Sequence, residues 1–363
     1  MKLFKHLLVT PAVLGLIAPV TVNATESNLD VISNLYQENI DLNSKSFTNK
    51  KSLLLSGGEG LVEETATSDP IINGSFSETT SASFGSTFYV GSVENASSES
   101  TTFSYDFAMD LTTSFTGEDS LDVAVIGGNA SETAVDGYMG GDGTGDVLTL
   151  DGVSYTFPLG GATVIVGDGV GVDDMNTGAC AYSAFTDLLS DCGTSNVGGS
   201  ADSAFAIGYD FDNGFTLAGG AGGGTGTDGF FTEEDASTIG LEAAYTADTY
   251  GISVAYTDDE ATTYWSIQGM LAPEGFPSVS VGYETDDDDA DAIFAGLTFE
   301  EVGPGSVSLG IASTELSSDD YYQYELAYSY PLNDGMTITP GVFIKETAGD
   351  DETGVVVTTS FSF

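Results

Sequence analysis

Residues 321–345 read YYQYELAYSYPLNDGMTITPGVFIK and contain two runs of largely alternating side chains around a turn. In the first run, Tyr322, Tyr324, Leu326, Tyr328 and Tyr330 alternate with Gln323, Glu325, Ala327 and Ser329. In the second, Met336, Ile338, Pro340, Val342 and Ile344 alternate with Thr337, Thr339, Gly341, Phe343 and Lys345. Because successive side chains of a strand point to opposite faces, each run predicts a β-strand with one apolar face. Asn333-Asp334-Gly335 between them is a hairpin signal.

The same alternation recurs along most of the chain. At the C-terminus one face has Val355, Val357, Thr359, Phe361 and Phe363, and the other has only glycine, valine, threonine and serine. The pattern predicts sixteen strands, at 75–91, 101–114, 119–127, 146–157, 161–172, 201–211, 214–223, 235–247, 249–257, 261–271, 276–284, 291–300, 304–314, 320–330, 334–346 and 353–363.

The polar face of these strands is made of small residues with an occasional acid. A soluble β-sandwich needs bulky side chains on its inner faces, whereas small polar residues suit a water-filled lumen and aromatic residues near strand ends suit the two membrane interfaces. The predicted fold is therefore all-β, a 16-stranded antiparallel transmembrane β-barrel. An even strand number is typical of single-chain bacterial barrels.

The N-terminal residues differ from the rest. Residues 1–24 combine Lys2 and Lys5, an apolar run from Leu7 to Val20 and Val-Asn-Ala at 22–24, which is typical of a secretory signal peptide. Residues 25–74 contain three lysines and no sustained period, and we interpret them as a periplasmic linker or plug segment. Residues 75–363 form the predicted barrel, and its expected location is the cell outer membrane.

Composition excludes several classes of function. Beyond residue 24 the chain has no histidine or arginine, and four lysines stand against 56 acids. Nucleic-acid binding is excluded because no basic patch can form, and histidine-dependent nucleophilic catalysis is excluded for lack of the base. We expect no enzyme activity, no cofactor and no defined metal site. Acid runs such as Asp286 to Asp289 are expected to bind divalent ions only by weak screening.

The connections between strands also carry a pattern. Longer or more acidic connections are predicted at 92–100, 128–145, 173–200, 224–234, 258–260, 285–290, 315–319 and 347–352. Others are short, as at Asp212-Asn213 and Ala247-Asp248. Short turns on the periplasmic side and longer acidic loops outside are the arrangement of outer-membrane barrels.

Four stretches resemble the OprB-type (carbohydrate-selective) porins in their cyanobacterial form: LTTSFTGEDSL at 111–121, VSYTFPLGGATVIVGDGVGVDDM at 153–175, STIGLEAAYTADTYGISVAY at 237–256 and YELAYSYPLNDGMTITPGVF at 324–343. The resemblance implies a barrel from about residue 75 to the end and implies that Phe363 is the signal read by the barrel assembly machinery. Family members usually have an S-layer homology domain before the barrel. About 50 residues stand there in this chain, so the resemblance implies a form without that domain.

Cys180 and Cys192 lie in the connection 173–200, the third outside loop. In general porins of sixteen strands that loop folds into the lumen and narrows it. Two spaced thiols in an oxidising compartment predict a disulfide, which would stabilise the loop by roughly 3 kcal/mol on the chain-entropy estimate. The bond either stiffens a constriction or is an ordinary staple of an outside loop.

Four acids fall on the predicted lumen face: Asp106, Asp110, Glu242 and Glu325, with Lys345 as their only cationic neighbour. From residue 75 onward the chain has 48 acids and one lysine, so the field in the lumen is expected to concentrate cations and to exclude anions. The alternative for each single acid is a solvated position at the rim.

The predicted function is that of an outer-membrane porin for passive diffusion of small hydrophilic solutes and inorganic ions, with cations preferred and carbohydrate uptake open. Its partners would be outer-membrane lipid, the solutes and the barrel assembly machinery, and a homotrimer stays open. The alternative is a secreted acidic all-β surface or adhesion protein. A barrel enzyme using paired carboxylates is a third alternative, but no dyad at hydrolytic spacing stands out.

Overall fold

The computed structural model describes residues 80–96, 99–130, 133–141, 143–198, 201–224, 231–232, 236–288, 290–316 and 319–363. The predicted signal peptide and the segment 25–74 lie outside these residues. The strands are β1 Thr80–Glu94, β2 Thr102–Thr113, β3 Ser120–Gly128, β4 Thr149–Leu159, β5 Ala162–Asp168, β6 Ser203–Asp210, β7 Phe215–Gly223, β8 Ser237–Ala247, β9 Tyr250–Asp258, β10 Thr263–Leu271, β11 Ser278–Asp286, β12 Asp291–Val302, β13 Gly305–Leu316, β14 Asp319–Asn333, β15 Met336–Lys345 and β16 Glu352–Ser362. The helical elements among the described residues are one short α-helix, α1, at Ala134–Met139 and two 3₁₀ segments at Asp187–Gly193 and Ser195–Gly198.

The sixteen strands form one closed antiparallel barrel. Each strand pairs with its sequence neighbours, and β1 pairs with β16 from Gly85 opposite Ser362 to Glu94 opposite Thr353. The predicted fold is confirmed, and every predicted segment overlaps one strand. Closure leaves no unpaired sheet edge, which is the condition for a sheet in a medium without hydrogen-bonding solvent. No helix among the described residues is long and apolar enough to cross a membrane.

The alternation of side chains follows the predicted faces. In β8, Leu241 on the outside is 53% exposed, while its neighbour Glu242 on the inside is 6% exposed. The outside is an almost continuous apolar surface. Aromatic pairs lie near its two ends, for example Phe215 with Tyr245 beside the turns and Tyr256 with Trp265 beside the loops, both at 4.7 Å between ring centroids. This is the arrangement of an outer-membrane barrel.

The connections divide between the two ends as predicted. Seven short turns lie at the end that has the C-terminus, and all eight predicted longer connections lie at the opposite end. One of the short turns is the predicted hairpin at Asp212-Asn213-Gly214. There Asp212 and Gly214 have positive φ angles of 58° and 90°, a conformation that asparagine, aspartate and glycine tolerate best.

The inside of the barrel is partly filled by protein. One buried apolar cluster joins Tyr89, Val93, Phe343 and Val356 of the wall to Val135 of α1 and to Phe185. A second joins Phe294 and Ala312 of the wall to Leu189 and Cys192. Two of the long connections therefore fold inward and pack on the lumen face.

Candidate functional site: the narrowed lumen

The connection from β5 to β6 is the main inward segment, and we call residues 169–202 the inward loop; residues 199 and 200 are outside the described part. Cys180 and Cys192 form a disulfide with 6.0 Å between their Cα atoms. The bond joins an outgoing leg, 173–182, to a returning leg, 191–198. The inward loop lies against the inner wall of the barrel and is held there by hydrogen bonds to wall residues.

Glu325 of β14 is the most heavily used anchor of the inward loop. Its Oε1 accepts hydrogen bonds from the Tyr182 hydroxyl at 2.8 Å and from the Phe185 backbone N–H at 2.7 Å. Its Oε2 accepts from the backbone N–H and the hydroxyl of Thr186 at 2.9 and 2.5 Å. The residue is 2% exposed. A buried carboxylate needs such donors, because burying it unpaired would cost several kcal/mol.

Glu242 of β8 holds the beginning of the loop in the same way. It accepts from the backbone N–H groups of Thr177 at 2.5 Å and Gly178 at 2.8 Å. Sequence analysis predicts Glu242 and Glu325 as pore-lining acids on the lumen face. In the structure both carboxylates accept hydrogen bonds from the inward loop, four at Glu325 and two at Glu242, so both anchor that loop to the wall.

Three further anchors escape prediction from the sequence. Glu284 accepts from the backbone and side-chain nitrogens of Asn196 at 3.1 and 2.6 Å. Gln268 accepts from Ala179 N–H at 2.8 Å and donates to the Asp191 carbonyl oxygen at 2.8 Å. Ser280 accepts from Ala181 N–H at 2.8 Å. Their inward register in β10 and β11 is visible in the alternation, and this is the signal that marks them as lumen residues.

Glycines of the wall make room for the loop. A Cβ atom at Gly341 would overlap the ring of Phe185, and one at Gly282 would overlap the Cys192 carbonyl oxygen. The returning leg needs this close approach because Asp191, Cys192 and Gly193 all have positive φ angles, 49°, 53° and 70°, and bend the chain sharply at the wall.

The connection from β3 to β4 forms a second inward segment around α1, which sequence analysis does not predict. Thr133 caps the helix in a capping box with Asp136, and Gly140 ends it in the left-handed conformation. Asp136 is buried and also accepts from the Ser104 hydroxyl of β2. The Thr-x-x-Asp pattern at 133–136 is the signal for the helix, but nothing in it indicates that the helix enters the lumen.

Lys345 lies beside this helix. Its Nζ is 5.4 Å from the centroid of the Tyr138 ring, a cation–π contact. Sequence analysis pairs Lys345 with the lumen acids, and the contact observed is with the aromatic ring instead.

The two remaining predicted acids lie on β2. Asp106 is partly buried, and its carboxylate accepts from the Thr87 backbone N–H at 2.9 Å and from the Tyr89 hydroxyl. Asp110 lies four residues after Asp106 on the same face of β2, nearer the turn to β3, and is exposed. These two acids are not covered by the inward loop, so they differ in environment from Glu242 and Glu325.

Two cavities formed by described residues lie inside the barrel. The larger, about 450 Å³, lies between the two legs of the inward loop and the wall of β8 to β10, and Asp173, Asp191 and Glu242 are among its lining residues. The smaller, about 250 Å³, lies against β1 and β13 to β16 and is lined mainly by hydroxyl groups. Of these two cavities, one is thus lined in part by acids and the other mainly by hydroxyl groups.

The acids of the inward loop affect each other. Burial raises the pKa of Asp191, and the negative charges of Asp173 and Asp187 raise it further. Burial and the charge of Asp173 likewise raise the pKa of Asp174. Among the described residues, no group of three or more His, Cys, Asp or Glu side chains is placed to hold a metal ion.

Phe363 closes the barrel at the turn end. Its backbone exchanges two hydrogen bonds with Phe84, at 2.9 and 3.0 Å, and its ring stacks on that of Phe84 at 5.5 Å. The side chain is 76% exposed on the outer surface. A terminal aromatic residue that stays accessible suits a recognition signal, which remains a prediction.

Comparison with known proteins identifies the fold. The chain is similar to the OprB structure of Pseudomonas putida at high pH, with 13% identity and a TM-score of 0.59 over 78% of this chain and 94% of that one. It is similar to a loop L8 deletion mutant of OmpT, an outer membrane protein of Vibrio cholerae, with 11% identity and a TM-score of 0.59 over 79% of this chain and all of that one. It is also similar to the anion-selective porin from Comamonas acidovorans, with 14% identity and a TM-score of 0.58 over 78% and 100%.

No family model and no curated protein sequence matches the chain. At these identities the structural likeness establishes the fold, that of the outer-membrane porins. The outer-membrane location predicted from the sequence agrees with this fold and with the apolar outer surface.

Proposed function

We propose that this protein is an outer-membrane channel for passive diffusion of small hydrophilic solutes and inorganic ions, and that it prefers cations. The observation that supports the proposal is the contrast between the two faces of one closed barrel. The outer face is apolar with aromatic ends, whereas the inner face bears hydroxyls and carboxylates. A secreted adhesin with so large an apolar outer surface would aggregate in water, so the surface argues against that alternative.

The cation preference follows from the sign of the fixed charge. The longer connections, the inward loop and the exposed Asp110 all contribute carboxylates, and Lys345 is the single lysine from residue 75 onward. A negative potential in a narrow passage raises the local concentration of cations and lowers that of anions. The proposed role of Asp106 and Asp110 is to line this passage.

The test is reconstitution of the full protein in planar bilayers under a KCl gradient. The expected result is stepwise ion conductance with a reversal potential shifted towards the equilibrium potential of K⁺. A Cl⁻ preference would refute the charge argument and leave the channel, whereas absence of any conductance from correctly folded protein would refute the channel itself. Swelling of liposomes in sugars of increasing size would decide whether carbohydrates pass.

A further inference from the structure

The acids that hold the inward loop are unsuited to guiding solutes. Glu242, Glu284 and Glu325 each accept hydrogen bonds from the loop, and each is buried. The larger cavity is bounded by both legs of that loop, which the disulfide joins. A solute in this cavity would lie between the wall and the inward loop, and the loop cannot move aside easily because a disulfide and several hydrogen bonds hold it.

The smaller cavity has the opposite character. Its wall comes from five strands that are neighbours in the closed sheet, β13, β14, β15, β16 and β1. The hydroxyl-bearing residues that line it on these strands include Ser306, Ser308, Ser329, Thr339, Thr358 and Ser360. Among the described residues, the inward loop contributes Ser183, Ala184 and Phe185 to its lining, and α1 contributes Met139.

The chemistry of this wall suits passage. A hydroxyl both donates and accepts hydrogen bonds, so a row of hydroxyls can replace hydration water of a moving solute without binding it tightly. Neighbouring strands present the hydroxyls side by side: Ser306 is opposite Ser329, Thr339 is opposite Thr358, and the Thr87 and Ser360 hydroxyls are 3.3 Å apart.

One carboxylate lies at the border of the hydroxyl wall. Asp106 accepts from the backbone of Thr87 and from the hydroxyl of Tyr89, and both of these residues line the cavity. It is partly buried rather than covered by the loop. Asp106 does not itself line the cavity, but its carboxylate is hydrogen-bonded to two residues that do, so its charge lies close enough to act on an ion at this wall.

We propose that the permeation path passes the hydroxyl wall of β13–β16 and β1 at the turn end of the barrel, on the turn side of the apolar cluster that contains Phe185, and that Asp106 determines the cation preference there. The proposal rests on the channel function proposed above and assigns its route and its selectivity residue. It makes the larger, acid-lined cavity a side compartment.

The route can be tested with single introduced thiols, because the two native cysteines are bonded to each other. Ser329→Cys puts a thiol on the hydroxyl wall, and Ser253→Cys puts one in the larger cavity. Each is treated in a planar bilayer with the cationic reagent methanethiosulfonate ethyltrimethylammonium, because the negative field of the lumen would exclude an anionic reagent. We expect conductance to fall by about half or more for Ser329→Cys and to change little for Ser253→Cys, because only an added group on the path obstructs it.

The selectivity residue is tested by Asp106→Asn against Asp248→Asn, an exposed acid in the turn between β8 and β9. Removing a unit charge at roughly 8 Å from an ion in a water-like medium should lower the cation-to-anion permeability ratio by about two- to fivefold at low salt. Asp248→Asn should leave the ratio unchanged. Heat-modifiable migration on gels confirms that each variant is a folded barrel.

Block at Ser253→Cys with none at Ser329→Cys would overturn the route, and an unchanged ratio in Asp106→Asn would overturn the role of Asp106. Both outcomes presuppose ion current through the unmodified protein. Absence of that current would instead refute the proposed channel function, so the two failures are distinguishable.

Discussion

Replacing Glu325 by glutamine should detach the inward loop at one point and leave the barrel intact. Glutamine keeps one acceptor oxygen, so the Tyr182 hydroxyl and Phe185 N–H can retain a partner, whereas Thr186 would face an amide NH₂ group. The two bonds from Thr186 to Oε2 are lost. Hydrogen bonds to a charged group contribute about 1.5–3 kcal/mol each, so local docking should weaken by roughly 3–6 kcal/mol.

The effect should stay local because Glu242, Gln268, Ser280 and Glu284 still hold the rest of the loop. The ring of Phe185 would then leave its position over Gly341, beside the hydroxyl wall. Single-channel recording should give a larger mean conductance and more open-channel noise than the unmodified protein.

The matched control is Glu301→Gln, the same change at an exposed acid near the β12–β13 turn. It should behave as the unmodified protein does. Equal conductance and equal noise in all three proteins would show that the Glu325 carboxylate does not position the loop, and the anchoring argument would then fail.

Three further predictions use the same recordings. Gly341→Ala should displace the Phe185 ring and change the conductance. The control Gly269→Ala should not, because its added Cβ would make an ordinary 3.5 Å contact with Val281; identical currents in both variants would show that Gly341 is not needed to accommodate Phe185. The double variant Cys180→Ser with Cys192→Ser should lower the stability of the inward loop by about 3 kcal/mol and raise the open-channel noise without unfolding the barrel. Unchanged noise would show that the disulfide does not stiffen the loop. The pKa of Asp191 is raised in the folded loop above the unfolded value near 3.9, so its ionised form disfavours docking of the loop. Lowering the pH from about 7 towards 4 should therefore reduce the open-channel noise, and rising noise in that window would contradict the predicted direction.

The barrel could be predicted from the sequence because lipid and water impose a period of two on every strand. The predicted strand at 235–247 is observed at Ser237–Ala247, and 320–330 is observed at Asp319–Asn333. The second differs because pairing continues past Pro331 through an irregularity in the register with β15. Alternation indicates which face a residue takes but carries no information on where pairing stops.

The contents of the lumen could be predicted only in part. Glu242, Glu325 and the cysteine pair were identifiable because inward register and spacing are local properties of the chain. The donors that reach those carboxylates come from 65 and from 139 to 143 residues away, and no local pattern encodes such pairs. The same holds for α1, whose capping box is local and whose docking on β1 is not.

The scarcity of cations explains how these carboxylates are used. In a barrel with arginine, buried wall acids can be neutralised by guanidinium groups, but this chain has none, and its single barrel lysine contacts Tyr138. The remaining strong donors are backbone N–H groups, and a loop that enters the lumen offers several in a row without adding positive charge. The loop is thereby fixed while the lumen keeps its negative field. Asp106 lies outside that arrangement, because its hydrogen bonds come from the wall residues Thr87 and Tyr89, and it is therefore the carboxylate that we propose acts on ions in the lumen.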